Sequence, residues 1–122
     1  MAEPAIIPFT EEFDGYLRDE SRRVGRADSI SFPTSEADVI EIVKAMYASG
    51  TPVTTQGART GIAAGAVPEG GHVINLSRMS AIGEPTVDAA TGEGRLTVQP
   101  GALLADVRAA LAGTRLFFPP DP

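Results

Sequence analysis

The chain has 122 residues, no cysteine and a formal net charge of −6 at pH 7. Its length suits one domain or a piece of one, and the lack of cysteine excludes disulfides and thiolate chemistry. The acidic balance argues against sequence-independent nucleic-acid binding, which needs a basic face. No apolar run has the length of a membrane span, and no secretory signal opens the chain. We therefore expect a cytoplasmic globular protein.

The amino-terminal residues 1–28 predict a short helix followed by a loop. Thr10 is a suitable N-cap, and acidic residues follow it in the first turn. Phe13 and Leu17 are four apart and would share the inner face of this helix. The rest of the segment is polar and charged, so we predict a loop that leads into a separate region over 29–122.

A strand, a helix and a second strand follow in order. Residues 29–32 alternate polar and apolar, and residues 51–55 form a second short strand. Between them, Ser35 and Asp38 resemble a capping box, and Gly50 suits the end of the helix. The order predicts a βαβ crossover with parallel pairing. The apolar stripe of the helix consists of Val39, Ile42, Val43 and Met46.

The second half predicts three further strands and one helix. The strands cover 72–76, 86–87 (a short edge strand) and 95–99. His72 has no second histidine with which to share a metal, so we interpret it as a strand-edge residue. The helix ends at Gly113. Its apolar positions are Leu103, Leu104, Val107 and Leu111.

The most informative stretch is the loop that follows the strand at 51–55. Residues 54–66 contain three glycines and four alanines, so a ligand could approach the backbone closely. Concave runs of backbone N–H groups bind anions, phosphates above all. Arg59 would add a charge-assisted contact, and Thr55 and Thr60 would add hydroxyl donors. The loop lies at the carboxyl end of a strand, where open α/β sheets hold ligands.

A purely structural explanation of this loop is the alternative. Small residues also serve tight turns and close backbone crossings. The spacing matches neither a P-loop, since no Lys-Ser or Lys-Thr follows a glycine, nor the G-x-G-x-x-G turn of a Rossmann fold. From the residues alone, an anion site and a structural turn both remain open.

Read in order, several segments resemble the FAD-binding domain of vanillyl-alcohol-oxidase-type (PCMH-type) flavoproteins. The resemblance is to the group that contains the glycolate oxidase subunit and D-lactate dehydrogenase. The matching segments are Phe-Pro-Thr-Ser-Glu-Ala-Asp-Val at 32–39, Gly-Thr-Pro-Val at 50–53, Gln-Gly-Ala-Arg-Thr-Gly at 56–61, Gly-Ala at 65–66, Val-Ile-Asn-Leu-Ser-Arg-Met at 73–79, Leu-Thr-Val-Gln-Pro-Gly at 96–101 and Phe-Pro-Pro-Asp-Pro at 118–122.

The resemblance implies an α+β fold that is α/β-like, with a small mixed sheet, a βαβ unit and flanking helices. The resemblance makes 29–122 the amino-terminal portion of a PCMH-type FAD-binding domain that is truncated at Pro122. It also implies that FAD binds with its pyrophosphate in the loop. The cofactor-binding residues implied are Gln56, Gly57, Ala58, Arg59, Thr60, Gly61, Gly65, Ala66, Pro100, Gly101, Asp121 and Pro122.

Attachment of the flavin should be non-covalent. Some relatives tether it through a histidine in this loop, and Arg59 stands at the comparable place. Relatives of the glycolate oxidase type usually have glycine there, so two roles stay open for Arg59. It either pairs with the pyrophosphate or points into solvent.

The expected function is the FAD-binding portion of an oxidoreductase that acts on a 2-hydroxy acid or a similar alcohol. The chain holds no candidate base for that reaction, so we expect it to need the remainder of the oxidoreductase or a second subunit. One alternative is a non-catalytic remnant or partner-binding module without flavin, whose apolar end at 116–118 would be an interaction surface or an oligomer seam. A binder of another phosphate ligand is a third possibility.

Overall fold

A computed structural model of the chain describes residues 5–120, which form two compact units divided between Arg78 and Met79. The first unit contains β1 (Ile7–Pro8), a 3-10 helix (Glu11–Leu17), β2 (Ser29–Ser31), α1 (Glu36–Ser49), β3 (Val53–Gln56) and β4 (His72–Asn75). The second contains β5 (Thr86–Val87), β6 (Gly94–Arg95) and α2 (Leu104–Leu111). The predicted α+β class with a small mixed sheet is confirmed.

The first unit is built on a four-stranded sheet in the order β1-β2-β4-β3. Strand β1 is antiparallel to β2, whereas β2 and β3 both run parallel to β4. The predicted crossover through α1 therefore has the right direction, but the predicted pairing of its two strands is wrong. Strand β4 separates them because all four of its residues are buried, and a strand buried on both faces belongs in the centre of a parallel sheet.

Helix α1 begins and ends where the sequence predicts. The Ser35 hydroxyl accepts the N–H of Asp38 at 3.1 Å, and Gly50 closes the helix with a left-handed φ of 67°. The carboxylate of Asp38 accepts the N–H and the hydroxyl of Thr34 instead of completing a capping box. These bonds lower the pKa of Asp38, and the bond from the Thr34 backbone N–H has the largest effect.

One narrow face of α1 supplies the core of this unit. Ile42 and Met46 are buried against Ile74 of β4, with Leu76 packed beside them. Val43, which the predicted stripe included, is 47% exposed. The fully buried face of α1 consists of Ile42 and Met46 and is therefore narrower than the predicted stripe.

The amino-terminal helix differs from the prediction in type and in its cap. It is a 3-10 helix with no fully buried residue. The Thr10 hydroxyl donates to the Glu12 carboxylate at 3.2 Å and makes no capping bond to the backbone. The side chains of Phe9, Phe13, Tyr16 and Phe32 form an aromatic cluster with ring centroids 5.2–6.3 Å apart.

The second unit is a short antiparallel hairpin, β5–β6, with helix α2. Of the predicted strand at 95–99, only the first residue, Arg95, pairs with β5. Val98 makes only an isolated bridge with Ile82. Helix α2 is confirmed, and Gly113 follows it with a φ of 80°. An apolar hollow of about 340 Å³ is lined by Gly94, Arg95, Leu96, Val98, Val107, Leu111, Leu116, Phe117 and Phe118. Within 5–120, neither α-helix has the length and hydropathy to cross a membrane.

His72 is a buried polar residue at the start of the central strand. Its side chain has no exposed surface, and His72 is the first residue of β4, the strand-edge position that the sequence predicts. The Ser29 hydroxyl lies 2.7 Å from Nδ1 and the Ser31 hydroxyl 2.8 Å from Nε2. A neutral imidazole offers one donor and one acceptor, which the two hydroxyls match. Burial lowers the pKa of His72.

Stability should therefore fall in mildly acidic solution. Because the folded state lowers the pKa of His72, the unfolded chain binds the proton more tightly, and the free energy of unfolding decreases as pH drops below about 6.5. Urea unfolding between about pH 7.5 and 5.5 measures this loss. The carboxylates of Asp19 and Asp38 have lowered pKa values, so their contributions are lost only below about pH 4.

The matched control is His72→Gln, which removes the titrating group. This variant should be less stable near neutral pH, because the imidazole bonds are lost, but should show a flatter pH dependence. Equal slopes in the parent chain and the variant over this range would show that His72 does not govern the acid sensitivity.

Candidate functional site

The glycine-rich loop connects β3 to β4 at the carboxyl edge of the parallel strands. All of its residues from Ala58 to Gly65 are exposed or only partly buried. The backbone N–H groups of Ala58 through Gly61 donate to no acceptor among residues 5–120. These groups are available to a ligand, as the sequence predicts.

Gln56 anchors both ends of the loop from inside the protein. Its side chain is 2% exposed, and Nε2 donates to the carbonyls of Tyr16 at 2.6 Å and Ala66 at 2.8 Å. Its Oε1 accepts from the Asn75 side chain at 3.1 Å. An unsatisfied buried amide costs about 1–3 kcal/mol, so these bonds fix the loop relative to β4 and to the backbone at Tyr16.

The Arg59 side chain is held by the amino-terminal segment, a contact that the sequence did not predict. Its guanidinium stacks over the Tyr16 ring, 4.6 Å from the ring centroid, and donates to the Gly15 carbonyl. The side chain therefore points toward the amino-terminal segment. Its φ is 59°, a left-handed backbone that costs an L-residue about 1–2 kcal/mol. The two side-chain contacts offset part of that cost.

Residues 15–20, which we name the strap, cross the loop at several points. In addition to the contacts of Gln56 and Arg59, the N–H of Glu20 donates to the Gly61 carbonyl at 3.1 Å. The sequence placed this segment in a helix end and a loop and gave it no role in the site. Its contact partners lie about forty residues away, so no local signal could have revealed them.

Gly61 and Gly65 have no structural need for glycine. A methyl group added to either would meet no atom within 4 Å among the described residues, and neither has a left-handed φ. The open space lies directly on the exposed backbone. Such a cradle fits a ligand that approaches the main chain closely.

A second feature that the sequence did not reveal is the buried carboxylate of Asp19, which is 8% exposed. Its Oδ1 accepts the N–H of Ser21 at 2.8 Å, and within the described part of the chain Oδ2 has no hydrogen-bond partner. The Ser21 side chain is the largest cause that lowers the pKa of Asp19, and the backbone amides of Ser21, Ala66 and Ala64 contribute in the same direction.

Beside the loop lies an open cleft of about 440 Å³. It carries three guanidinium groups against two carboxylates, so its walls favour an anionic ligand. The lining residues are Gly15, Arg18, Asp19, Glu20, Arg22, Ala58 and Arg59.

The remaining predicted site residues lie elsewhere. Pro100 and Gly101 belong to the second unit, where the N–H of Gly101 donates to the Met79 carbonyl at 2.8 Å. Asp121 and Pro122 lie outside the described residues. The structure thus brings together Gln56 through Ala66, and the contribution of the other four residues stays a prediction.

The loop contains a strained alanine whose replacement should stabilise the chain. Ala64 has a φ of 63°, and its carbonyl accepts the N–H of Val67 at 3.1 Å in a turn. Ala64→Gly removes the left-handed penalty and should raise the free energy of unfolding by up to about 1 kcal/mol. Urea unfolding of both chains gives the difference. Ala63→Gly, at an exposed neighbour without positive φ, is the matched control and should bring no gain. If the free energy of unfolding falls as much in Ala64→Gly as in Ala63→Gly, the backbone of Ala64 is not strained.

Comparison with known proteins identifies the class. The fold is that of PCMH-type FAD-binding domains: it matches the crystal structure of 6-hydroxy-D-nicotine oxidase from Arthrobacter nicotinovorans with a TM-score of 0.70 at 21% identity, over 92% of this chain and 24% of that one. A xylooligosaccharide oxidase from Myceliophthora thermophila gives a TM-score of 0.65 at 23% identity, over 89% and 22%.

The sequence comparison then gives the family. The FAD binding domain family matches residues 27–122, and the chain belongs to it. It is 37% identical to an uncharacterised FAD-linked oxidoreductase of Mycobacterium tuberculosis over 69% of this chain and 18% of the relative. A D-lactate dehydrogenase of Anaerostipes hadrus is 33% identical over 100% and 26%. Glycolate oxidase subunit GlcD of Bacillus subtilis is 30% identical over 78% and 20%. The chain thus spans about a fifth to a quarter of the length of these relatives.

Proposed function

We propose that the chain binds FAD non-covalently and that the backbone of Gly57–Gly61 holds the pyrophosphate. The observation that carries this proposal is the open cradle at the end of β3, where free N–H groups adjoin a glycine with no structural need for its missing side chain. Such groups bind phosphate oxygens. Gln56 holds the loop in place, and Gly65, Ala66, Pro100, Gly101, Asp121 and Pro122 would complete the contacts.

The non-covalent mode is supported by the side chains of the loop. Neither histidine nor cysteine occurs between Gln56 and Ala66, and the single histidine, His72, is buried between two serines. Arg59 is held by the strap. None of these groups offers a reactive nucleophile to the flavin.

We further propose that the chain is the cofactor-binding portion of an oxidoreductase that acts on a 2-hydroxy acid or a similar alcohol. Support comes from the sequence relatives, which include a D-lactate dehydrogenase and a glycolate oxidase subunit. Bound FAD supplies the hydride chemistry, and the protein binds and orients it. Catalysis would require the remainder of the oxidoreductase or a second subunit.

A second candidate function is a partner-binding module that holds no flavin. It is favoured by the apolar hollow of the second unit, where Phe117 is 79% exposed and Phe118 45% exposed. Exposed aromatic side chains in a group are typical of interaction surfaces.

Titration of the purified chain with FAD separates the two. We expect FAD to bind with a dissociation constant in the micromolar range, about −8 kcal/mol, and to be removed again by dialysis. Because the pyrophosphate carries the recognition, ADP should compete, whereas riboflavin, which lacks phosphate, should not. If neither FAD nor ADP binds, the cofactor site fails and the partner-binding function is favoured.

Substitution of Gly61 tests where the pyrophosphate binds. Gly61→Val should leave the fold intact, because a Cβ added at Gly61 meets no atom of the described chain within 4 Å, but it should raise the dissociation constant for FAD at least tenfold (about 1.4 kcal/mol) by filling the cradle. Ala45→Val, at an exposed position of α1, adds similar bulk elsewhere and serves as the control. Unchanged FAD affinity in Gly61→Val would contradict the placement.

A further inference from the structure

The strap is tied to the cofactor loop more closely than chain connectivity requires. Its carbonyls at Gly15 and Tyr16 accept from Arg59 and Gln56, the Tyr16 ring lies under the Arg59 guanidinium, and the Glu20 N–H donates to Gly61. Gly61 and Arg59 both belong to the segment proposed to hold the pyrophosphate. The strap therefore touches the cradle itself.

An aromatic chain connects this contact to the sheet. The Tyr16 ring packs edge-on against Phe32 with 5.2 Å between centroids and lies 6.3 Å from Phe13. Phe32 directly follows β2 and carries the Arg78 guanidinium on its ring at 4.7 Å. The position of the Tyr16 ring is thus supported by packing outside the loop, in addition to the bond from Gln56 to the Tyr16 carbonyl.

The backbone of Arg59 needs such support. Its left-handed φ is unfavourable for any residue with a side chain, and conformations of this kind persist only where the surroundings fix them. The planar guanidinium meets the flat ring and a carbonyl at the same time, which suits arginine better than lysine.

We infer that Arg59 is a positioning residue that acts through Tyr16, and that the strap holds the loop in its FAD-binding conformation. Arg59 in this role is not a ligand of the pyrophosphate. The inference deepens the proposed function and rests on it for the cofactor, whereas the effect on the loop can be measured without FAD.

A double-mutant cycle tests the coupling. Arg59→Ala should raise the dissociation constant for FAD about tenfold, the combined size of a cation–π contact and a hydrogen bond. Tyr16→Leu removes only the ring and should raise it about threefold, because the Gly15 carbonyl stays in place. If both act on one interaction, the double variant should be no weaker than about tenfold. An additive loss of about thirtyfold would overturn the inference, because Arg59 would then contact FAD independently of the ring.

Conservative variants separate positioning from general destabilisation. Tyr16→Phe keeps the ring face and should bind FAD within about twofold of the parent. Tyr47→Phe is the matched control, because Tyr47 is 90% exposed on α1. Loss of the tyrosine hydroxyl should leave the dissociation constant for FAD unchanged at both positions. A tenfold loss in Tyr16→Phe would overturn the stacking role.

Hydrogen exchange of the ligand-free chain keeps this inference distinguishable from the proposed function. The amides of Glu20 and Val67, which donate to the loop carbonyls of Gly61 and Ala64, report on the loop. Arg59→Ala and Tyr16→Leu should both accelerate their exchange, with the amides of β4 unchanged. If the parent chain binds no FAD but this pattern is found, the proposed function fails and the positioning role stands. If these two amides exchange equally in the parent and both variants, the positioning role is wrong even where FAD binds.

Discussion

The candidate site depends on one buried amide. Gln56 ends β3 and uses its side chain to hold the backbone of Tyr16, the carbonyl of Ala66 and the side chain of Asn75. A buried amide left without partners costs about 1–3 kcal/mol, so the native arrangement is strongly preferred over alternatives. The start of the loop, its end and the strap are thereby fixed to one another.

The two halves of the loop differ as a result. In the first half, the N–H groups from Ala58 to Gly61 stay free of partners within residues 5–120. In the second half, the amides of Ala64 and Ala66 lie close enough to the Asp19 carboxylate to favour its charged form. The Asp19 carboxylate, an anion of the protein itself, therefore adjoins the second half. The N–H groups of the first half stay available to an anionic ligand. This division agrees with a pyrophosphate held at Gly57–Gly61.

Local signals predicted the parts of the fold that local interactions determine. Ser35 and Gly50 marked both ends of α1 because capping bonds involve residues three or four apart. The loop itself was recognisable from its small residues. The central place of β4, the burial of His72 and the contact of Arg59 with Tyr16 join residues about forty apart, and no pattern within a short window encodes them.

The strand order also constrains how the chain folds. Strands β2 and β3 lie two positions apart, so neither gains a parallel partner until β4, the last strand of this sheet, has been made. Closing such non-local pairs carries a loop-entropy cost before the contacts compensate for it. The glycine-rich loop is part of the link that β3 and β4 close when they pair. Its shape is therefore acquired late, in the same step that completes the sheet.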